Sequence, residues 1–217
     1  MCRAPAALMP WRSWRQNRVA DMPAPLAVVK VGGSLYDVPD LGARLRHWLP
    51  AQLPMKRVLL VPGGGAVVDA IRHLDRVQGL GEEISHWLAL RALSVNAQFL
   101  AALLPSARIV KDVGAWHGSE TAILDVHAFA LADEMREDRL PHSWTVTSDS
   151  LAARVAVVHR AKTLVLLKST TISADVDWGE AARLGWVDER FAEVLRNASA
   201  DLEVRSVNWR DLSDESR

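Results

Sequence analysis

Short apolar segments alternate along the chain with longer segments in which apolar residues recur every three or four positions. The short segments predict strands near residues 28–31, 58–61, 107–111, 144–147, 163–167 and 202–207. The periodic segments predict helices near residues 41–49, 63–78, 82–104, 125–131, 151–159 and 188–197. Because strands and helices alternate, we predict an α/β fold, a three-layer αβα sandwich with a mainly parallel central sheet.

The longest predicted helix, residues 82–104, has two apolar faces. Its main stripe keeps helical spacing over about six turns and consists of Ile84, Leu88, Ala92, Val95, Phe99 and Leu103. Leu90, Leu93 and Leu100 lie off that stripe. Since only one face is needed to cover the sheet, we predict that this second face packs in a homodimer.

Two of the predicted strands end in glycine turns. Residues 28–31, which include Lys30, lead into Gly32, Gly33 and Ser34, and residues 58–61 lead through Pro62 into Gly63, Gly64 and Gly65. Parallel strands end at one edge of a sheet, where glycine N–H groups near helix N-termini bind phosphate. Neither turn has the spacing of a Walker A loop or of a dinucleotide fingerprint. We therefore predict a phosphate site in which Lys30 supplies a fixed positive charge.

A third polar segment, Thr147 to Ser150, lies where a predicted strand passes into a helix. Asp149 has two interpretations here. It is either an ordinary helix cap, or a carboxylate that orients a lysine ammonium or holds Mg²⁺ beside a phosphate.

Composition narrows the classes of partner. The 217 residues are 49% hydrophobic, and we predict one domain at 26–210, a disordered leader at 1–25 with Met22 as an alternative start, and a polar tail at 211–217. The formal net charge is zero, whereas proteins that bind nucleic acids or membrane surfaces usually have an excess of basic residues. This favours a small-molecule partner. No apolar run approaches the roughly 18 residues of a membrane helix. The only cysteine, Cys2, allows no intrachain disulfide and no cysteine metal site, which favours a cytoplasmic location.

The order and spacing of these motifs resemble the amino-acid-kinase superfamily, which includes acetylglutamate, aspartate, carbamate and uridylate kinases. The resemblance rests on Lys30-Val-Gly-Gly-Ser34, Val61-Pro-Gly-Gly-Gly65, Thr147-Ser-Asp149-x-x-Ala152-Ala153-x-x-Ala156 and the strand Leu164 to Leu167. It implies that Lys30 contacts the transferred phosphoryl group, that Gly32, Gly33 and Ser34 bind nucleotide phosphates, and that Asp149 organises the lysines. It also implies that Gly63, Gly64 and Gly65 bind the acceptor.

Within the superfamily, the short chain and the segment Gly79 to Trp87 are most similar to the branch that contains aminomethylfuran phosphate kinase. His86 and Trp87 lie one turn into the long helix, where they can stack a flat ring and bind a polar group of the acceptor; a core tryptophan with a surface histidine is the alternative. After residue 168 the chain departs from the larger members, because Lys168-Ser169 replaces Thr-Asp and a glycine-rich nucleotide segment is missing. We therefore expect an abbreviated nucleotide lobe. Either Asp175, Asp177 and Trp178 help to hold ATP with fewer contacts, or the chain has lost nucleotide binding.

These expectations combine in a kinase that uses ATP and Mg²⁺ and transfers the γ-phosphoryl group to a phosphate or carboxylate oxygen of a small metabolite. Lys168 is predicted as the second catalytic cation, because its strand ends at the same sheet edge as Lys30. Arg154 or Mg²⁺ is the alternative source of that charge. A catalytically inactive small-molecule sensor and a uridylate-type nucleotide kinase are the alternative functions.

Overall fold

The central sheet has six strands within the described residues. The structure is a computed structural model that describes residues 24–54 and 56–212, so most of the predicted leader, including Met22, and most of the predicted tail lie outside the described residues. The strands are β1 (Leu26–Val31), β2 (Arg57–Pro62), β3 (Arg108–Val110), β4 (Ala122–Leu124), β5 (Thr163–Lys168) and β6 (Glu203–Asn208). All neighbours pair in parallel, in the order β3-β4-β2-β1-β5-β6. The predicted parallel α/β fold is confirmed.

Seven α-helices connect these strands in the part of the chain that the structure describes. They are α1 (Leu41–Gln52), α2 (Gly65–Gln78), α3 (Glu82–Leu103), α4 (Val126–Asp133), α5 (Ser148–Val158), α6 (Trp178–Arg183) and α7 (Phe191–Leu195). Within the described residues, none of the helices combines the length and apolarity that a bilayer crossing requires.

The sheet separates two hydrophobic cores, because successive side chains of a strand point to opposite faces. Val28 of the central strand β1 packs in one core together with α4 and α5, whereas Val29 packs in the other together with α1. All six residues of β1 are buried, as expected for a parallel strand that is covered by helices on both faces. The layers are therefore helix, sheet and helix, and the ends of β1 and its neighbours form the floor of a cleft.

Three local predictions differ from the structure. Residues 144–147 lie outside the sheet, with a turn at residues 144–145, because the Trp144 ring nitrogen donates to Asp75 at 2.7 Å and the Thr147 N–H donates to Asp188 at 2.9 Å. Their polar groups are thus satisfied outside the sheet. The strand β4 and the helix α6 were not predicted, because three and six residues are too short to give a clear periodic signal.

The predicted orientation of α3 is wrong. Leu90, Leu93 and Leu100, assigned to an outer face, are buried inside this chain, whereas Val95 of the predicted core stripe is 58% exposed. The buried set of α3 also includes Ala97, which completes a helical stripe of its own. Since both stripes satisfy the same period, periodicity alone could not decide which one faces the sheet.

Candidate active site

The two glycine turns pack directly against each other at the carboxyl ends of β1 and β2. A Cβ atom on Gly33 would lie 2.0 Å from the backbone nitrogen of Gly65, and one on Gly63 would lie 2.3 Å from the nitrogen of Gly33. The side-chain amide of Asn96 donates to the carbonyl oxygens of Gly63 and Gly64, both at 2.7 Å. Glycine is therefore required here because two backbones approach closely, and the turns form a rigid edge of the cleft.

A lysine–aspartate–lysine cluster lies beside these turns. The Lys30 ammonium is 2.9 Å from Oδ1 of Asp149, and the Lys168 ammonium donates to Oδ2 of the same carboxylate at 2.5 Å. The side chains of Lys30, Asp149 and Lys168 are only 7%, 6% and 12% exposed. The sheet brings the lysines together because β1 and β5 are adjacent and parallel, with Lys30 opposite Leu166 and Lys168 at the strand end. With both lysines ionised, the cluster carries one uncompensated positive charge.

The cluster also shifts the pKa values of Asp149 and Lys168. Burial alone would raise the pKa of Asp149, but the charges of Lys30 and Lys168 hold it below its usual value. Burial, together with the positive charge of Lys30, lowers the pKa of Lys168, although Asp149 acts in the opposite direction. The carboxylate is thus kept ionised between two ammonium groups.

The N-terminus of α5 presents Asp149 to the lysines. Thr147 caps the helix, and its hydroxyl oxygen accepts a hydrogen bond from the Asp149 N–H at 3.4 Å. Thr147 and Ser148 also line the cleft. The positive end of a helix dipole therefore reinforces the charge of the lysines, and the arrangement suits an anion such as a phosphate group.

The cleft has a volume of about 1020 Å³ and contains three regions. The basic end is formed by the lysines and the glycine turns. Next to it lies an apolar wall, and the far end contains polar and aromatic side chains. The basic end includes Lys30, Gly32, Gly33, Ser34, Gly64, Gly65, Ser148 and Lys168; the apolar wall includes Val68, Leu90, Leu93, Val146 and Leu151; the far end includes Arg72, His86 and Trp144. Gly185, Trp186 and Arg210 line the cleft as well. Such a volume exceeds that of most single-ligand sites and leaves room for two small ligands.

Several predicted site residues do not line this cleft, among them Gly63, whose carbonyl oxygen accepts from Asn96 and from the Tyr36 hydroxyl. Trp87 packs edge-on against His127 and His142, and its ring N–H donates to Glu83 at 2.9 Å. By contrast His86 does line the cleft, and burial followed by the charge of His142 lowers its pKa. The interpretation of His86 as a surface residue is wrong, because the residue is only 6% exposed.

The predicted nucleotide residues Asp175 and Asp177 also lie away from the cleft lining. Asp177 caps α6 by accepting from the Glu180 N–H at 2.9 Å, and Asp175 is exposed. Arg154, the alternative second cation, is held in ion pairs with Asp133 and Asp138, outside the cleft lining. These positions follow from local capping and packing, which the sequence motifs did not reveal.

Asp188 is a polar residue of the site region that the sequence analysis did not single out. Its carboxylate accepts hydrogen bonds from both Thr147 and Ser150 in the first turn of α5. The two segments are about forty residues apart in the chain, so no local spacing could have predicted this contact.

The cleft suits phosphate better than it suits a protein-bound metal. Its two remaining carboxylates, Asp37 and Asp69, are paired with Arg210 and Arg72. Among the described residues, no group of three or more metal-ligating side chains has the arrangement of a metal site.

Solved structures share this fold. The chain superposes on UMP kinase from Bacillus anthracis with a TM-score of 0.60 at 12% identity, over 90% of this chain and 92% of that one. Uridylate kinase from Archaeoglobus fulgidus superposes with a TM-score of 0.54 at 16% identity, over 81% of this chain and 87% of that one. Aspartate kinase from Synechocystis superposes with a TM-score of 0.58 at 15% identity, over 89% of this chain and 39% of that one. The chain thus has the amino-acid-kinase fold, as its motifs predicted.

One curated protein provides a comparison in sequence. The chain is 28% identical over 154 residues to (5-(aminomethyl)furan-3-yl)methyl phosphate kinase from Methanocaldococcus jannaschii. This match spans 69% of the chain and 66% of the relative, slightly less than two thirds of the relative's length. No family model matches the sequence. The predicted resemblance is confirmed, and these comparisons support the predicted kinase class of enzyme.

Proposed function

We propose that the chain is an ATP-dependent kinase that transfers the γ-phosphoryl group of MgATP to a phosphate or carboxylate oxygen of a small metabolite. The observation that carries this proposal is the buried cluster of Lys30, Asp149 and Lys168 at the end of the cleft. Two ammonium groups that share one carboxylate leave a positive charge facing the cleft, which an anionic ligand neutralises. Phosphates fit that requirement.

In this mechanism the protein positions the reactants and neutralises charge. An acceptor oxygen attacks the γ-phosphorus in line, the bond to the β–γ bridging oxygen breaks, and ADP leaves with the electron pair. Lys30 and Lys168 neutralise the charge that develops on the transferred group, and Asp149 fixes their ammonium groups. A phosphate or carboxylate acceptor is ionised at neutral pH, so the transfer needs no general base. Magnesium bound to the nucleotide supplies further charge neutralisation.

The two sides of the cleft are assigned to the two substrates. We place the acceptor between the glycine turn of β2 and the apolar wall, with His86 at its far end. We place the nucleotide toward Gly185, Trp186 and Arg210, which line the cleft. The predicted residues Asp175 and Asp177 are not part of the lining. The abbreviated nucleotide lobe would then hold ATP mainly through its phosphates.

Aminomethylfuran phosphate is the first candidate for the acceptor. The sequence relative is named for that substrate, and an apolar wall beside a phosphate site suits a small ring that carries a phosphate. This acceptor would place the chain in methanofuran-type one-carbon cofactor synthesis. A uridylate-type acceptor is the second candidate, supported by the fold shared with uridylate kinases.

An ADP-release screen tests the proposal. Purified protein with MgATP is combined with small phosphates, including aminomethylfuran phosphate and UMP, and with amino acids. We expect ADP release that depends on one acceptor class and is lost in Lys30→Ala. Calorimetry with the same compounds identifies the sensor alternative, because an inactive sensor would bind an acceptor without binding MgATP and without releasing ADP.

We also propose a homodimer in the cytoplasm. The buried residues of α3 cannot form its interface, so we now place the interface on the exposed apolar side chains of α2 and α3. Those that lie outside the cleft lining are Leu74, Val77 and Ile84.

A further inference from the structure

Asp188 forms a dense set of hydrogen bonds on the first turn of α5. Its Oδ2 accepts from the Thr147 N–H at 2.9 Å, from the Thr147 hydroxyl at 2.7 Å and from the Ser150 N–H at 3.0 Å. Its Oδ1 accepts from the Ser150 hydroxyl and from the N–H of Arg190. One carboxylate thus fixes the residues on both sides of Asp149.

Helix capping alone does not account for the hydrogen bonds of Asp188. The first N–H groups of a helix lack partners, and one nearby side chain ordinarily satisfies one of them. Here Thr147 already caps the helix by accepting from the Asp149 N–H, and Asp188 adds a second anchor from a distant segment. The Thr147 hydroxyl links the two, because it donates to Asp188 and accepts from Asp149.

The same short segment forms part of the cleft wall. Gly185 and Trp186 line the cleft, and Val187, only 4% exposed, packs in the core between Trp186 and Asp188. Residues 185–188 therefore connect the side of the cleft that we assign to the nucleotide with the helix turn that carries Asp149.

We propose that Asp188 is a positioning residue that couples the cleft wall at residues 185–188 to the alignment of Asp149 between the two lysines. Asp188 does not line the cleft, so it acts through α5 and not on a substrate. The catalytic consequence rests on the function proposed above. Reacting groups tolerate little displacement, since a shift of about 1 Å reduces rates by about 10²-fold.

Asp188→Glu is the variant of choice because it keeps the negative charge and moves the carboxylate by one methylene. This matters because the charge of Asp188 itself acts on Lys168. If Asp188 served only through its charge, glutamate would restore wild-type behaviour. Asp125→Glu is the matched control, since Asp125 caps α4 by accepting from Ala128 and also accepts from Ser94, outside the cleft lining.

The first readout does not require catalysis. The chain has five lysines, Lys30, Lys56, Lys111, Lys162 and Lys168, so ¹³C-labelled lysine gives five resonances that can be assigned by substitution. We expect the pKa of Lys168 to fall in Asp188→Glu by about half a unit or more, because the carboxylate of Asp149 moves away from its ammonium group. We expect no change in Asp125→Glu. Ser150→Ala, which keeps the charge of Asp188 and removes one of its bonds, should shift Lys168 in the same direction by less.

The second readout is kinetic. We expect Asp188→Glu to lower kcat about 10-fold or more while the KM of the acceptor stays within about 3-fold, and Asp125→Glu to change Tm without changing kcat. A wild-type Lys168 titration in both Asp188→Glu and Ser150→Ala would overturn the inference, whatever the activity. If the Lys168 titration shifted but the protein showed no kinase activity, the coupling would be supported and the proposed function would be refuted.

Discussion

Replacing Asp149 by asparagine should destabilise the protein strongly, because two buried ammonium groups would lose their shared counter-charge. Asparagine has nearly the same shape, so the change tests charge and not packing. Breaking a buried ion pair by removing one partner costs about 3–5 kcal/mol. Lys168 lines the cleft and can turn toward water, so we expect the lower end, a loss of about 3 kcal/mol in the free energy of unfolding.

Urea unfolding at pH 7 measures this loss, and the surface pair Lys162–Asp201 provides the matched control. Its atoms are 2.8 Å apart, but the side chains are 50% and 70% exposed. Asp201→Asn should therefore change the free energy of unfolding far less than Asp149→Asn does, because solvent screens an exposed pair. An equally small effect of Asp149→Asn, with an unchanged slope against urea, would refute the buried cluster.

The pH dependence adds a second check. The pKa of Asp149 is lowered in the folded state, so its stabilisation is present above the unfolded value of about 3.9 and is lost as pH falls through the folded value. The difference between wild type and Asp149→Asn should therefore persist at pH 5 and shrink only at more acidic pH. A difference that vanished near pH 6 would contradict this ionisation.

Three further predictions follow from the same geometry. The pKa of Lys168 is lowered by burial, so kcat should fall on the alkaline side below the ordinary lysine value of about 10.4, and Lys168→Arg should remove that limb because arginine stays charged. An alkaline limb that persists unchanged in Lys168→Arg would assign the titration to another group. Gly33→Ala should lower the free energy of unfolding by about 2–3 kcal/mol, because its Cβ would lie 2.0 Å from backbone. Gly79→Ala should lower it by only about 1 kcal/mol, because Gly79 faces open space and only its φ of +64° is strained. Equal losses would contradict the packing of the turns. Light scattering should give twice the chain mass of 23.9 kDa, and Val77→Asp should restore the monomer; a wild-type monomer at micromolar concentration would exclude the dimer.

The parts of the site that could be predicted are those fixed by sheet geometry. Parallel strands end at a common edge, so the sequence predicts that Lys30, the glycine turns and Lys168 lie together. The motif Thr147 to Ser150 also predicts Asp149 at the start of a helix, although the strand predicted before it, residues 144–147, lies outside the sheet. Their catalytic and binding roles remain proposals.

The parts that could not be predicted depend on long-range contacts or on ambiguous patterns. Asp188 contacts α5 from about forty residues away, and nothing near it in sequence indicates that contact. The two apolar stripes of α3 have the same period, so only packing decides that Leu93 is buried and Val95 exposed. Trp144 lies in a strand-like segment, but its bond to Asp75 holds it in a turn.

The most direct test of the proposed phosphoryl-transfer centre is a single-turnover experiment with γ-³²P-labelled ATP, Mg²⁺ and the acceptor found in the screen. We predict that label appears on the acceptor in wild type and that Lys30→Ala slows this step about 10²-fold or more, because a charge aimed at the transferred group is lost. Lys56→Ala serves as the control, since Lys56 contacts Thr163 at the opposite end of β5. Transfer by Lys30→Ala within a few-fold of the wild-type rate would contradict the central role of the cluster.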